Sequence, residues 1–162
     1  MIRKAKAEDA AQIADIYNYY VLNTVVTFDE EPVTEQFMRS KIGKILSLGY
    51  PFLVYERDGT IAGYAYLSDW RPHAAYRITL ETSVYLAPQF AGKGLGSELY
   101  GKLIEEARRL EIRSLIGVLG LPNEASQGLH RKFGFALAGC FPKVGKKFGQ
   151  LWDVEFYQLT LV

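Results

Sequence analysis

Three glycines in five positions, Gly92, Gly94 and Gly96, lie between a β-rich run and a segment with helical apolar spacing. Glycine allows the main chain to approach a ligand closely, because no side chain intervenes. The first N–H groups of the helix that follows have no partner within the helix, and they favour an anion. The sequence therefore predicts an anion-binding loop, and we expect the anion to be a pyrophosphate.

The spacing around this loop excludes the two common nucleotide-binding motifs. A P-loop requires Ser or Thr directly after its lysine, whereas Lys93 is followed by Gly94. A dinucleotide-binding fingerprint, Gly-x-Gly-x-x-Gly, requires a third glycine where this chain has Ser97 or Leu99, depending on which glycine begins the motif. A different class of pyrophosphate ligand must therefore be considered.

The chain carries the spacing Gln89-x-x-Gly92-x-Gly94, which is the Gln/Arg-x-x-Gly-x-Gly/Ala signature of the GCN5-related N-acetyltransferase (GNAT) family. Residues 123–126 and 132–135 are similar to the later Asn…Gly-Phe motif of that family. The chain resembles the family along its whole length, and within it the phosphinothricin and methionine sulfoximine acetyltransferases. The further segments that carry this resemblance are residues 22–24, 27–33, 75–77, 81–85 and 145–149.

The resemblance implies acetyl-CoA as the acyl donor and no metal. The main chain of Val84, Tyr85 and Leu86 would pair with the pantetheine arm as if with another strand. Asn123 is open to a second interpretation, as a helix cap, and both roles are compatible. For Lys93 the alternative to a phosphate contact is a solvated surface lysine. The other residues expected to bind the cofactor are Gln89, Gly92, Lys93, Gly94, Leu95, Gly96, Ser97, Asn123 and Lys132.

Acetyl transfer to an amine requires loss of a proton from the ammonium, stabilisation of the carbonyl oxygen and departure of the thiolate. Direct attack suffices, because a thioester is already activated. Glu81 matches the acidic position of phosphinothricin-type enzymes, and we expect it to be the general base, with its pKa raised by burial. A water relay between Glu81 and the amine stays open. A main-chain N–H near Leu86 is the expected oxyanion donor.

His130 occupies a position where many family members carry a tyrosine thought to protonate the leaving thiolate. An imidazole with a pKa of about 6.5 could protonate a thiolate. It could equally be a residue that only packs, so the sequence leaves both roles open. Tyr85 is a further candidate acid.

Acceptor binding is expected around a polar, aromatic loop before Glu81. An arginine fork binds a carboxylate well, so Arg71 and Arg77 are candidates for an amino-acid carboxylate, with surface ion pairing as the alternative. Trp70 and Phe28 would give an apolar wall. The remaining expected acceptor residues are Pro72, His73, Glu81, Thr82, Ser83 and a loop at residues 146–148.

The resemblance implies an N-acetyltransferase acting on the α-amine of a small amino-acid-like compound: methionine sulfoximine, methionine sulfone or phosphinothricin. Two alternatives are an enzyme that acetylates protein N-termini or another amine, and a CoA-binding sensor that has lost catalysis. Glu81 argues against the sensor. Arg71 and Arg77 favour a small carboxylate over a peptide.

Composition limits the partners. The 162 residues carry a net charge of +1, so there is no basic excess for nucleic acid. The single cysteine, Cys140, excludes an intramolecular disulfide, and no Cys/His cluster has zinc spacing. With no apolar run of membrane-span length and no signal-peptide pattern, a cytoplasmic protein is expected. The family implies a homodimer, with the aromatic-rich C-terminal strands as a candidate interface.

The chain has no internal repeat, low-complexity tract or linker, so we expect one domain over residues 1–162. The pattern of helices and strands indicates the α/β (α+β) class, with helices on both faces of a mixed sheet. The resemblance implies a GNAT-like, mostly antiparallel central sheet of about seven strands. Strands are predicted at residues 2–5, 52–55, 61–67, 77–86, 114–119, 135–141 and 151–159. Helices are predicted from residue 8, at 34–49, directly after the glycines, and at 123–133.

Overall fold

A computed structural model describes residues 1–161 of the chain. The strands are β1 (Ile2–Lys4), β2 (Phe52–Arg57), β3 (Thr60–Asp69), β4 (Thr79–Leu86), β5 (Ser114–Gly120), β6 (Ala136–Lys147) and β7 (Gln150–Thr160). The α helices are α1 (Ala10–Asn23), α2 (Glu35–Ser47), α3 (Leu95–Arg108) and α4 (Glu124–Lys132). Over these residues the seven strands form one sheet in the order β1-β2-β3-β4-β5-β7-β6. Strands β4 and β5 run parallel, whereas β1–β2, β2–β3, β5–β7 and β6–β7 run antiparallel. The predicted fold class is confirmed.

Contacts group the chain into two compact units. The first consists of Met1–Asn18, Val33–Ser68 and Thr82–Glu111, and the second of Tyr19–Pro32, Asp69–Glu81 and the chain from Ile112 onward. Strand β4 begins in the second unit and ends in the first. No α helix among the described residues is long and apolar enough to span a membrane.

The apolar face of α3 lies in the core of the first unit. Leu95, Leu99 and Leu103 are buried, as their spacing predicts. Tyr100 on the same helix is also fully buried, and its hydroxyl lies 2.8 Å from Oγ1 of Thr82 in β4. Thr82 therefore points towards α3.

The opposite side of β4 packs against aromatic rings. The ring of Tyr85 stacks on that of Tyr64 in β3, with centroids 5.3 Å apart, and meets the edge of Tyr17 in α1 at 5.5 Å. Because side chains alternate along a strand, Tyr85 and Thr82 lie on opposite sides of β4. Tyr85 thus points away from α3, whereas Thr82 points towards it.

In the second unit, strand register assigns side chains to two faces. Side chains of Cα partners lie on the same face, and they alternate along each strand. The partners are Glu81 with Ile116, Val118 with Phe156, and Gly120 with Val154. We call this side the Glu81 face. The other side, the α4 face, carries Gly117 and Tyr157 and packs against His130 of α4.

The predicted start of the fourth strand is wrong. Residues Ala74–Ile78 form a 3-10 turn, and β4 begins only at Thr79. The N–H of Tyr76 donates to the carbonyl oxygen of His73, and the N–H of Thr79 donates to that of Tyr76. These two turn bonds hold Arg77 in a tight turn, although its neighbours have the β-branched and apolar character of a strand.

The predicted loop at residues 146–148 is also wrong. Strand β6 continues to Lys147, which pairs with Gln150, so only Phe148 and Gly149 form the turn, with φ of 54° and 70°. The sequence pattern stops at Phe141 because Pro142 follows it. That proline is accommodated where the register with β7 shifts between Phe141 and Gly145, at a strand on the edge of the sheet.

Two glycine substitutions, one of them a control, test the packing of β3 on β4. At Gly63 an added Cβ would lie 2.5 Å from Cδ2 of Leu86 and 2.8 Å from the carbonyl oxygen of Tyr85. We expect Gly63→Ala to lower the free energy of unfolding by about 1–3 kcal/mol, because the core would be overpacked. Gly43→Ala is the control, since nothing lies within 4 Å there and alanine should stabilise α2 by up to about 1 kcal/mol. Urea denaturation measures both changes, and equal effects would contradict the packing.

Candidate active site

The glycine loop of the first unit has the main-chain geometry of an anion cradle. Gly92 and Gly94 have φ of 74° and 81°, which side-chain-bearing residues rarely adopt. The first intrahelical bond of α3 runs from the N–H of Glu98 to the carbonyl oxygen of Gly94, at 3.2 Å. The amides before Glu98 therefore face out of the N-terminal end of the helix. A Cβ placed on either glycine would meet nothing within 4 Å, so the space above the loop is open.

Close packing fixes this cradle at the end of β4. A Cβ on Gly96 would lie 3.3 Å from Cδ1 of Leu86, so the first turn of α3 approaches the last residue of the strand. The N–H of Ala87 donates to the carbonyl oxygen of Ala62 at 2.8 Å, which ties the end of β4 to β3. The cradle thus lies close to Leu86 at the end of β4, and binding of the pantetheine arm by Val84, Tyr85 and Leu86 stays a prediction.

The cationic and amide side chains predicted for the cradle are both accessible. Lys93 and Gln89 are exposed, and the ammonium of Lys93 lies 5.6 Å from the centroid of the Phe90 ring. Ser97 is partly exposed in the first turn of α3, and Leu95 is buried beneath it. The open loop, the helix N-terminus and the accessible lysine fit a bound pyrophosphate.

Glu81 belongs to the second unit and stands beside an apolar surface. It is partly exposed, and its face of the sheet continues through Ile116 and Val118, of which Val118 is 38% exposed. Phe156 of β7 lies beside Val118 in register. We call these three apolar residues the floor. The Glu81 carboxylate therefore lies at the edge of an apolar surface.

The predicted aromatic loop reaches the same floor. The Trp70 ring meets the edge of Phe156 with centroids 6.1 Å apart, and the guanidinium of Arg71 lies 5.0 Å from the Trp70 ring. Phe141 contacts Phe156 from β6, at 5.0 Å. The second unit therefore places a cation near the aromatic part of the floor. Sequence analysis missed Val118 and Phe156, although the alternation in β5 and β7 could have indicated them.

Phe28 lies beyond Gly120 at the far end of β5. A Cβ on Gly120 would lie 3.0 Å from the Phe28 ring, and a Cβ on Gly145 would overlap that ring. The ring is thus seated over two glycines on different strands. The role of Phe28 as an apolar wall for the acceptor stays a prediction, and Gly120 and Gly145, which make room for its ring, were not predicted.

The remaining acceptor candidates differ in exposure and in the direction of their side chains. Pro72, His73 and Arg77 are exposed in the segment that leads into β4, and the His73 ring lies 6.2 Å from that of Tyr76. Ser83 is partly exposed, and it shares the side of β4 that carries Glu81. Thr82 is buried and bonded to Tyr100, so its side chain points to the opposite side.

His130 lies on the α4 face, opposite Glu81. Its Nδ1 lies 2.7 Å from the carbonyl oxygen of Ser126, and since a carbonyl only accepts, Nδ1 carries the proton. Nε2 points at Gly117, where a Cβ would overlap the imidazole. Burial among apolar neighbours lowers the pKa of His130, although the Ser126 bond acts in the opposite direction. The structure therefore does not bring His130 and Glu81 onto the same face of the sheet.

Two predicted cofactor residues flank α4. The side-chain oxygen of Asn123 accepts from the N–H of Ser126 at 3.2 Å, so the helix-cap interpretation is confirmed. Lys132, at the other end of the helix, is exposed, with its ammonium 5.9 Å from the Phe133 ring. Cofactor binding by either residue stays a prediction. Among the described residues, no three His, Cys, Asp or Glu side chains are grouped to hold a metal ion.

Comparison with known proteins decides the family. Residues 2–155 match the family model described as the acetyltransferase (GNAT) domain. The chain belongs to the GNAT family. As a GNAT enzyme it is an acyltransferase that uses acetyl-CoA, and the cradle of residues 92–97 fits the pyrophosphate of that donor.

Similar proteins extend over almost the whole chain. A methionine sulfoximine/methionine sulfone acetyltransferase of Salmonella typhimurium is 40% identical over 99% of this chain and 94% of its own length. A solved acetyltransferase of Salmonella typhimurium with its cofactor acetyl-CoA has a TM-score of 0.97 at 40% identity, covering 100% of this chain and 94% of that one. A ribosomal-protein-alanine N-acetyltransferase of Brucella melitensis has a TM-score of 0.96 at 37% identity, covering 99% of both chains.

The buried imidazole makes the stability of this GNAT domain depend on pH. Because the folded pKa of His130 lies below its unfolded value, the unfolded chain binds more protons as the pH falls through about 6.5. Stability is therefore full above that pH and declines below it, by at most about 1.4 kcal/mol per pH unit. We expect His130→Phe to remove this part of the decline in urea unfolding between pH 7.5 and 5.5.

The control is His73→Gln, which should keep the wild-type pH profile because His73 is exposed. Parallel profiles for the wild type and His130→Phe would show that His130 is not the titrating group.

Proposed function

We propose that the protein transfers the acetyl group of acetyl-CoA to the α-amino group of a small amino-acid-like acceptor, of the methionine sulfoximine, methionine sulfone and phosphinothricin class. One observation carries the proposal. Glu81 stands at the edge of an apolar floor made by Ile116, Val118 and Phe156, and Arg71 lies close to Trp70, which borders that floor. The base matches the amine of the acceptor, the apolar surface matches its side chain, and the guanidinium matches its carboxylate.

Strand β4 supports the use of acetyl-CoA next to this base. Glu81 and Val84 belong to the same strand, β4. The main chain of Val84, Tyr85 and Leu86 would hold the pantetheine arm, and residues 92–97 would hold the pyrophosphate, with Lys93 adding a positive charge. When bound, acetyl-CoA supplies an activated thioester, so the protein needs no nucleophile of its own.

Glu81 then has one task, which is to accept a proton from the acceptor ammonium. The transfer runs either directly or through one water. A main-chain N–H near Leu86 donates to the carbonyl oxygen on which charge develops. Arg71 or Arg77 holds the acceptor carboxylate, and the floor receives its side chain. Acceptor selection and proton removal are therefore both assigned to the Glu81 face.

The role of His130 as a general acid stays a prediction. Its geometry favours the packing alternative, because Nδ1 is bonded to Ser126 and Nε2 points at Gly117 on the opposite face from Glu81. Burial also favours the neutral ring, which has no proton at Nε2 to donate. Of the two ionisable groups, Glu81 is the better supported.

One observation favours a second function, acetylation of a protein N-terminus. The Brucella neighbour is named for that reaction on a ribosomal protein. The residue that reacts in a peptide has no free carboxylate, so Arg71 and Arg77 would then lack the partner proposed above. Free amino acids and short peptides separate the two functions.

The experiment is an assay of thiol release from acetyl-CoA with methionine sulfone, methionine sulfoximine, phosphinothricin, common amino acids and Ala-initiated peptides. We expect turnover with the free amino-acid class. Glu81→Gln should lower kcat about 100-fold or more, because an amide cannot accept the proton. Calorimetric binding of acetyl-CoA should be unchanged, since Glu81 lies outside the cradle.

The matched control is Glu111→Gln, which changes an exposed carboxylate outside the floor and the cradle. Wild-type turnover by Glu81→Gln at neutral pH would remove Glu81 from the role of base. Turnover with peptides only would replace the proposed acceptor with a protein N-terminus.

We also propose a homodimer formed through β6. This strand lies at the edge of the sheet, where Leu137, Phe141 and Val144 are 54%, 56% and 58% exposed. An edge strand with exposed apolar side chains favours pairing, and the net charge of +1 opposes it little. Sedimentation should give twice the 18.3 kDa chain mass, and Val144→Glu should give the single mass. Leu48→Glu is the control, and a monomeric wild type would refute the dimer.

A further inference from the structure

Lys147 is a fully buried lysine that the reaction described above does not use. Only 1% of it is exposed, and it is the last residue of β6. Its ammonium donates to the carbonyl oxygens of Thr24 and Thr27, both at 2.7 Å. Trp152 donates from its indole N–H to the carbonyl oxygen of Lys147, at 2.8 Å, so the strand end is held as well. All four residues lie in the second unit.

The two carbonyl groups belong to the segment after α1. In this segment the side-chain oxygen of Thr24 accepts from the N–H of Val26, and that of Thr27 accepts from the N–H of Asp29. These local bonds shape each turn, but they do not attach the segment to the sheet. The Lys147 ammonium bonds Thr24 and Thr27, which lie on either side of residues 25 and 26. It therefore attaches the segment at two points.

The side chain next to the second anchor is Phe28. Its ring rests on Gly120 of β5 and Gly145 of β6, where a Cβ on either glycine would touch or overlap it. Gly120 lies on the Glu81 face, two residues beyond Val118 of the floor. The Lys147 anchor and the two glycines therefore hold Phe28 at the end of the floor.

Burying the ammonium of Lys147 to make this contact has an energetic cost. Removing an ammonium from water costs several kcal/mol, and the carbonyl bonds must offset that cost. Burial accordingly lowers the pKa of Lys147, while the nearby Asp29 and Glu30 carboxylates act in the opposite direction. An apolar side chain of the same length would fill the space without that cost. An apolar side chain would not, however, hold two carbonyl oxygens at a fixed distance.

We propose that Lys147 is a positioning residue that fixes Phe28 as the end wall of the acceptor floor, and thereby sets which acceptor side chains the enzyme accepts. This inference rests on the proposed function for its kinetic consequence. It assigns the wall to an anchor in β6 rather than to the loop itself. The anchor acts on the acceptor and not on acetyl-CoA.

The test uses Lys147→Met, which keeps the length and removes the two bonds, and Lys44→Met as the control, since Lys44 is an exposed lysine of α2 with no role in the site. We expect Lys147→Met to raise KM for methionine sulfone about tenfold or more, while KM for acetyl-CoA changes less than about twofold. It should also raise the ratio of kcat/KM for phenylalanine to that for methionine sulfone. Lys44→Met should change none of these values.

A merely structural role is distinguished by a double-mutant cycle. Phe28→Ala should raise the same selectivity ratio, because it removes the wall directly. If Lys147 acts through Phe28, adding Lys147→Met to Phe28→Ala should change the ratio no further. Equal increases in KM for acceptor and acetyl-CoA, or effects on the ratio that multiply, would overturn the proposal. Lys147→Arg should restore part of the wild-type selectivity, because it keeps a cation with several donors.

Hydrogen exchange tests the anchor without any turnover. We expect the amides of residues 24–29 to exchange at least about tenfold faster in Lys147→Met than in Lys44→Met, because the two ammonium bonds to Thr24 and Thr27 would be lost. Unchanged exchange in a folded Lys147→Met protein would refute the anchor. If the wild type acetylated no free amino acid, the proposed function would fail, and this exchange result would still decide the anchor.

Discussion

The parallel pairing of Thr79–Glu81 with Ser114–Ile116 determines that Glu81 and the floor share one face of the sheet in the second unit. Side chains alternate along a strand, so a slip of one residue would turn the Glu81 side chain away from the floor. The same register sets Ile116 beside Glu81 on one face, while Gly117 lies beneath His130 on the other. Three residue pairs therefore keep Glu81 and the floor on one face of the sheet and the packing of His130 on the other.

Sheet glycines give this enzyme space in which other segments lie. Gly63 leaves room for Leu86, Gly117 for the His130 ring, and Gly120 with Gly145 for Phe28. Glycine usually weakens a strand, because it has no side chain to pack. Here the missing side chain is replaced by one from another element, so the packing is restored and the element is placed at the same time. The site is thus shaped by residues that have no chemistry of their own.

The sequence predicted the parts of the molecule that depend on local pattern. The glycine loop and the apolar stripe of α3 can be recognised from neighbouring residues, and both are present. The start of β4 was wrong because the turn bonds of residues 73–79 outweigh the strand character of the side chains. Lys147 was assigned to a loop because Pro142 interrupts the strand pattern. Its burial was not predicted because a lysine is rarely buried, and its partners lie about 120 positions earlier in the chain. The floor was missed although alternation in β5 and β7 could have indicated it.

The anchor formed by Lys147 has an evolutionary consequence. It binds carbonyl oxygens, which every residue type provides, so the contact places no restriction on the side chains at positions 24 and 27. A lineage could therefore alter the segment after α1 one substitution at a time while its attachment to β6 persisted. Acceptor preference would then diverge among relatives with the same catalytic strand, and the lysine would be retained longer than the residues it holds.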